Sequence, residues 1–419
     1  MNWRHAIRTS VARARRAPLA RETVQVLAWN TTRLAVQLAW VVALARSLGV
    51  NGYGEYVAVA AMAIVLGGLG GFGFGMRLYQ DGARTPAQLA TRWSQTVGAT
   101  WVSCILLATL FVSVASQLMP GHARSLLLPL ALAEIVAAPW IAQYAFLLAA
   151  TGRIAAAAAV PVALAGSRLV AASLLWSGLI PASTSSYAWL HAFASALAVA
   201  IVAFYCRTTP PSRSAPMRAT WADMRESAGF ASLWASGLAQ TSLDKTAAYS
   251  IGGATLAGNY SAGQRFASLL ALPVDTLLMA ALPRLFRAVT PTESRIVKPL
   301  FLATLCYGLM AGGAVALSAP LLPSVLGTGF LGAIEMLKIL GIYVPIYCLR
   351  VLAGNLLLAA GLKRWRIAAE LTSAASCAIL MFNLIPKYSE EGAAVSLVCA
   401  EALLALLSWA ALWRAKGKA

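Results

Sequence analysis

RTTPPSRSAPMRATWADMRES, residues 207–227, is the longest hydrophilic stretch in this chain. It is rich in Pro, Ser and Arg, a composition that suits a linker and not a packed core. It falls near the middle of 419 residues, of which 60% are hydrophobic and only 11% charged. An ordinary soluble domain carries roughly 25% charged residues. With a mean hydropathy of +0.72, the chain is excluded as a soluble enzyme, a disordered protein or a disulfide scaffold. It reads as a polytopic α-helical membrane protein divided by one linker.

Working outward from that linker, six apolar runs lie on each side. They fall at about 24–44, 56–76, 93–116, 125–149, 154–178 and 187–206, then 228–250, 260–282, 299–319, 332–360, 365–385 and 393–413. Each reaches the ~20 residues that a crossing needs. The tenth exceeds one straight span, and its start, with Glu335 and Lys338, is expected at the interface. The predicted organisation is a basic segment 1–23, an N-lobe 24–206, the linker 207–227, a C-lobe 228–413 and a tail 414–419. Residues 1–23 carry six Arg and no cleavage site after a short apolar core, so they do not read as a signal peptide. Trp3, Ile7 and Val11 recur there at helical spacing, as in a segment lying on a membrane surface.

The formal net charge is +19, from 33 Lys plus Arg against 14 Asp plus Glu. Loops this short cannot build a nucleic-acid-binding domain. With the N-terminus inside, only Arg46, Arg124 and Lys387 fall in outer loops, and six more cations lie in or beside spans. The remaining 24 are inside. Cytoplasmic enrichment of Lys and Arg orients membrane helices, so both termini are expected in the cytoplasm. The six Cys fall in or beside apolar runs with no CxxC spacing, and read as small apolar fillers.

The halves resemble each other. Leu48-Gly49-Val50-Asn51-Gly52-Tyr53-Gly54 follows the first run, and Leu256-Ala257-Gly258-Asn259-Tyr260-Ser261 follows the seventh. Aligning Tyr53 with Tyr260 gives an offset of 207. The segments 147–155 and 357–368 match at an offset of 210. Six spans is an even number, so the repeats run parallel, a known transporter plan with the substrate site between the halves.

Three stretches resemble one family, the Wzx-type polysaccharide flippases of the MOP (multidrug/oligosaccharidyl-lipid/polysaccharide) exporter superfamily. They are Ala45 to Tyr56, then Ser242-Leu243-Asp244-Lys245 through Gly258-Asn259-Tyr260-Ser261 to Leu282-Pro283-Arg284, and the region containing Ala360-Gly361-Leu362-Lys363-Arg364, Asn383-Leu384-Ile385-Pro386 and Gly392-Ala393-Ala394. The resemblance implies a MATE-like, V-shaped, two-lobed transporter in the bacterial inner membrane. It implies movement of an undecaprenyl-pyrophosphate-linked glycan, as in O-antigen or exopolysaccharide synthesis, from the cytoplasmic to the periplasmic leaflet. No cofactor is implied. Membrane lipids are expected partners, and polysaccharide polymerase or assembly proteins are left open.

Charged residues inside spans are the informative candidates, because isolated charge is costly there. Arg33 forms a stripe with Asn30 and Gln37, read as facing an aqueous cavity or, alternatively, as ion-paired with a residue such as Glu134. Lys245 and Arg265 belong to consecutive helices of the other lobe. Three cations from both lobes could hold a pyrophosphate, which Arg meets bidentately. Arg168 and Arg350 are further candidates, each equally readable as a helix-packing ion pair. Asp244 is read as a coupling group or as a counter-ion, neutralising Lys245 or partnering within the lobe. Glu134, Asp275 and Glu401 are read as counter-ions in preference to coupling groups. Gly67, Gly71 and Gly75 are spaced by four, as in a packing seam or, alternatively, a hinge.

Rival functions are weaker. A glycan polymerase or ligase needs outer carboxylates or His, and only Glu55, Glu390, Glu391, His122 and the interfacial Glu335 qualify. No P-loop, HExxH or GxSxG context appears. Lipid II flippases resemble the family but carry additional spans. A drug/cation antiporter is disfavoured by the intramembrane cations. The major facilitator plan is echoed only by Asp81-Gly82-Ala83-Arg84.

Overall fold

The computed structural model describes residues 18–119, 121, 123–209, 219–287 and 296–416. Expectations for residues 1–17, for 210–218 of the linker and for the last residues of the tail lie outside this range. Among the described residues every long element is a helix and none is a strand. In chain order the long helices are α1 (Pro18–Gly67), α2 (Phe74–Arg84), α3 (Leu89–Leu118), α4 (127–150), α5 (Ile154–Trp176), α6 (Thr184–Cys206), α7 (Trp221–Arg287), α8 (Val297–Ser318), α9 (Ala333–Ala359) and α10 (Lys363–Lys416).

Three of these are too long for one crossing. α1, α7 and α10 have 50, 67 and 54 residues. As straight rods they would span about 75, 100 and 80 Å, against a hydrocarbon core of about 30 Å. Each contains one non-helical residue: Gly49 (φ 66°), Gly253 (φ 77°) and Ser389 (φ 48°). The chain reverses there. Trp40 and Tyr56 would stand about 24 Å apart along a straight helix, yet their ring centroids are 6.4 Å apart. The Tyr260 hydroxyl likewise donates to Asp244, sixteen residues back, at 2.6 Å. The Ser373 hydroxyl reaches the Ala400 carbonyl at 2.8 Å. Each is a hairpin: α1a (18–48) and α1b (50–67), α7a (221–252) and α7b (254–287), α10a (363–388) and α10b (390–416). Counting each hairpin as two gives, among the described residues, twelve long helices besides the short α2. Eight of the uncut helical stretches are long and apolar enough to cross a membrane.

The two halves meet at their hairpin tips, and the contact is reciprocal. A Cβ on Gly54 would overlap the Ala254 carbonyl oxygen, and one on Gly258 would overlap that of Val50. Thr255 donates to Asn51 Oδ1 at 2.5 Å. Gly54 corresponds to Gly258 and Val50 to Ala254 at 204 residues, which is also the separation of Asn51 from Thr255 and of the two turn glycines. The repeat is therefore in register at 204 here, and Tyr260 corresponds to Tyr56. The offset of 207, which paired Tyr260 with Tyr53, is corrected. The second match shifts too. The turns after α4 and α9 make identical backbone bonds, Gly152 N to Ala149 O with Arg153 N to Leu148 O, and Gly361 N to Leu358 O with Leu362 N to Leu357 O. These place the register at 209, one residue from the Leu-Leu-Ala-Ala match.

The second apolar run is not one helix. α1b ends at Gly67, and Gly71, Phe72 and Gly73 all take positive φ before α2 begins. The glycines spaced by four face α4: a Cβ at Gly67 would overlap the Glu134 carbonyl, and one at Gly75 the Gln143 side chain. Glu134 sits in a π-helical stretch, Ala131–Ala137. The tenth run is a single helix, α9, whose exposed start carries a Glu335–Lys338 pair at 2.7 Å.

Prediction: in a cysteine-free background, Asn51→Cys with Thr255→Cys should cross-link under mild oxidation. Tyr53→Cys with Tyr260→Cys, the pairing of the discarded register, should not.

Candidate functional site

The five cations inside the lobes fall into two groups. Arg168 on α5 meets Glu134 on α4 at 3.1 Å, and His191 on α6 meets the other Glu134 oxygen at 2.9 Å. Tyr56 and Tyr187 complete this cluster around His191, and Trp40 donates its indole N–H to Tyr187. In the C-lobe, Lys245 meets Asp244 at 3.0 Å and the Thr241 carbonyl at 2.6 Å. The second Asp244 oxygen accepts from Tyr260 and Gln264. Arg350 on α9 meets Glu401 on α10b at 2.8 Å, and Gln240 donates to the other Glu401 oxygen at 2.6 Å. Asp275 accepts from Tyr347 at 3.1 Å. Arg168, Lys245 and Arg350 are thus each matched by a carboxylate of their own lobe, and Glu134 faces Arg168, not Arg33.

Arg33 and Arg265 differ. Neither makes a hydrogen bond or ion pair with any described residue, and the Arg33 Nε is buried without a partner. The Arg265 guanidinium carbon lies 5.0 Å over the Trp40 ring, so a C-lobe cation rests on an N-lobe aromatic. Arg33 and Trp40 are seven residues apart on α1a, two turns along one face, which puts Arg33 about 10 Å from that contact along the helix axis. Asn30 and Gln37 lie on the same stripe and are exposed. No described residue from 24 to 39 is buried. A guanidinium without a carboxylate partner can meet an oxyanion bidentately, and each lobe supplies one.

The end of the molecule nearest the linker holds a second cluster, which sequence reading missed. Arg77 on α2 meets Asp223 and Glu226 on α7a at 2.7 and 2.9 Å. Arg92 on α3 meets Asp223 at 2.9 Å and Asp81 at 2.8 Å. A Cβ on Gly73 would overlap the Ser227 carbonyl, so the backbones touch beside these pairs. Burial opposes ionisation of Asp223. Hydrogen bonds from the Thr220 backbone and hydroxyl and from Arg92, together with the charge of Arg77, outweigh it and hold the carboxyl well below the usual carboxylate range. With its native pKa depressed, Asp223 stabilises the seam at neutral pH, and that contribution is lost only as pH falls below the ordinary carboxylate range. The available signal was that 207–227 contains two acids, Asp223 and Glu226, among its Arg residues.

More than nine-tenths of the chain superposes on known transporters. An inward-facing multidrug resistance MATE family transporter of the MOP superfamily matches with a TM-score of 0.70 at 12% identity, over 92% of this chain and 97% of that one. The MATE multidrug transporter DinF-BH matches at 0.69 and 15%, over 94% of each. A MOP superfamily transporter from Pyrococcus furiosus, described as having a binding pocket of reverse polarity, matches at 0.61 and 13%, over 94% of this chain and 95% of that one. No curated protein sequence matches. The fold is that of the MOP superfamily of membrane transporters. Residues 19–289 match the family model of polysaccharide biosynthesis proteins, and the chain belongs to that family.

Prediction: Arg168→Ala leaves buried Glu134 without its cation, which costs roughly 3–5 kcal/mol. The detergent-extracted variant should melt at lower temperature or fail to accumulate. Arg33→Ala orphans no carboxylate and should accumulate and melt like the parent.

Prediction: Asp223→Asn should loosen the linker-end seam. In a cysteine-free background, Ser227→Cys should become readily alkylated when Asp223→Asn is added, and stay protected without it.

Proposed function

We propose that this protein is a flippase that moves a polyprenyl-pyrophosphate-linked oligosaccharide from the cytoplasmic to the periplasmic leaflet. The observation that carries this reading is the pair Arg33 and Arg265. They come from opposite lobes, lie in spans and lack carboxylate partners among the described residues. A pyrophosphate entering between the lobes would satisfy both and draw Arg265 from the Trp40 ring. The substrate's sugar would pass along the polar stripe of Asn30 and Gln37 while its prenyl tail stayed in the bilayer. Membership of the polysaccharide biosynthesis family supports this substrate class, and the transporter fold supports movement without covalent chemistry. The excess of Lys and Arg at one end supports an orientation with both termini in the cytoplasm of a bacterial inner membrane. Lys245, Arg168 and Arg350 serve here to hold the lobes, with Asp244, Glu134 and Glu401 as their counter-ions. Polymerase or assembly proteins would take the product on the far side.

Two measurements test the reading. Purified protein in liposomes should change the leaflet of a lipid-linked oligosaccharide and leave its mass unchanged; an altered mass would show catalysis instead. Arg33→Ala and Arg265→Ala should each lower flipping by roughly tenfold or more, the loss expected when a charged hydrogen-bond donor is removed, with protein level intact. Arg265→Lys should also be impaired, because an ammonium lacks the bidentate fork. Normal flipping by both Ala variants would overturn the assignment of the site.

A further inference from the structure

A cleft of about 630 Å³ opens beside the linker-end seam, between α2, α7a and the turn from α9 to α10. Gln80 enters it from the N-lobe, and Glu226, Phe230, Lys363, Arg364 and Trp365 from the C-lobe. Glu226 is turned to Arg77 at 2.9 Å, so its charge is already answered. Lys363 and Arg364 are exposed and make no hydrogen bond or ion pair with any described residue. The Lys363 ammonium lies 5.0 Å over the Phe230 ring, and Trp365 is 53% exposed. α10 begins at Lys363, so the positive end of its dipole and its first free N–H groups face the same turn.

The repeat supplies a control within the molecule. At the matching turn of the N-lobe, Arg153 donates to Tyr205 and Thr209 and lies over the Tyr205 ring. That cation is satisfied by its own lobe. The two cations of the C-lobe turn are not, although they share a cleft with two aromatic rings and an amide. An exposed Trp beside free Lys and Arg at a helix terminus fits the headgroup level of a bilayer.

We propose that this cleft binds a phosphate-bearing lipid headgroup of the cytoplasmic leaflet. The phosphate meets Lys363, Arg364 and the α10 N-terminus, and the polar headgroup lies against Trp365 and Gln80. Because Gln80 and the C-lobe turn both line the cleft, an occupant contacts both lobes next to the Arg77–Asp223 pairs and favours the closed seam. The site is separate from Arg33 and Arg265. Only its assignment to the cytoplasmic leaflet rests on the orientation proposed above, so the two proposals fail separately. The headgroup can come from a bulk anionic phospholipid or from a polyprenyl diphosphate on its way to the central site.

The experiment is native mass spectrometry of the detergent-purified full chain, titrated in parallel with phosphatidylglycerol, phosphatidylcholine and a polyprenyl diphosphate. The parent should retain at least one of the two anionic lipids in preference to phosphatidylcholine. Lys363→Ala with Arg364→Ala should bind that lipid about thirty-fold more weakly, the effect of two interfacial cations. Arg153→Ala should bind it like the parent. Stronger retention of phosphatidylglycerol identifies a structural lipid, and stronger retention of the diphosphate identifies a loading site. Equal retention of phosphatidylcholine by the parent, or parental affinity in the double variant, would overturn the proposal. Circular dichroism of the double variant guards against misfolding, and Lys363→Arg, which keeps the charge, should bind like the parent.

Discussion

An uncompensated charge inside an apolar medium carries a penalty that little else in a protein matches. This constraint sorts the interior of both lobes. Glu134, Asp244 and Glu401 lie inside the lobes, and each is met by a cation and by further donors. Those clusters tie α4, α5 and α6 together in one lobe and α7, α9 and α10 in the other. Once the carboxylates are satisfied, two guanidiniums are left over. Arg265 lies where the lobes face each other, on Trp40, and Arg33 lies two turns along the same helix as Trp40. The matched pairs, in contrast, hold helices together within each lobe.

The duplication shows how the halves diverged within one scaffold. Trp40 and Tyr56 of the first hairpin correspond to Asp244 and Tyr260 of the other. In the C-lobe the tyrosine reaches an acid on its own hairpin. In the N-lobe that position is Trp40, and Tyr56 turns to His191, which brings in Glu134 from α4. An indole thus stands in one half where the other has an acid, and the buried negative charge lies on another helix. The indole face carries Arg265 of the opposite lobe. The two cations are unmatched as well: Arg33 corresponds to Gly237 and Arg265 to Ala61.

Much of the architecture was legible in the letters. Apolar runs, one linker and a one-sided distribution of Lys and Arg are composition signals, and composition survives without coordinates. The register of the repeat was not, because Leu and Ala match Leu and Ala at several slips. What fixes it is backbone conformation at Gly49, Gly253, Gly152 and Gly361 and the close approach of Gly54 and Gly258. The candidate cations were visible as charges in spans, but their partners were not. Arg350 finds Glu401 fifty-one residues on, and Gln240 reaches it from 161 residues away. Asp223 and Glu226 were hidden for the opposite reason: in a hydrophilic stretch an acid reads as a solvated loop residue, and nothing local marks it as meeting two arginines.

The two ends of the lobe interface are built from different forces. At the hairpin tips the halves touch through glycine backbones, the Thr255–Asn51 hydrogen bond and the Arg46 guanidinium, which donates to the Ser324 and Val325 carbonyls. None of these contacts is an ion pair. At the linker end they touch through a five-member ionic network that includes the exposed Glu226. Of these pairs only Arg77–Glu226 involves an exposed group, and its attraction weakens as ionic strength rises, whereas the buried Arg77–Asp223 and Arg92–Asp223 pairs are screened far less. Added salt would therefore act first on the exposed rim of the linker-end contact, at Glu226, and leave its buried centre at Asp223 in place, so the surrounding electrolyte trims the seam without setting it free.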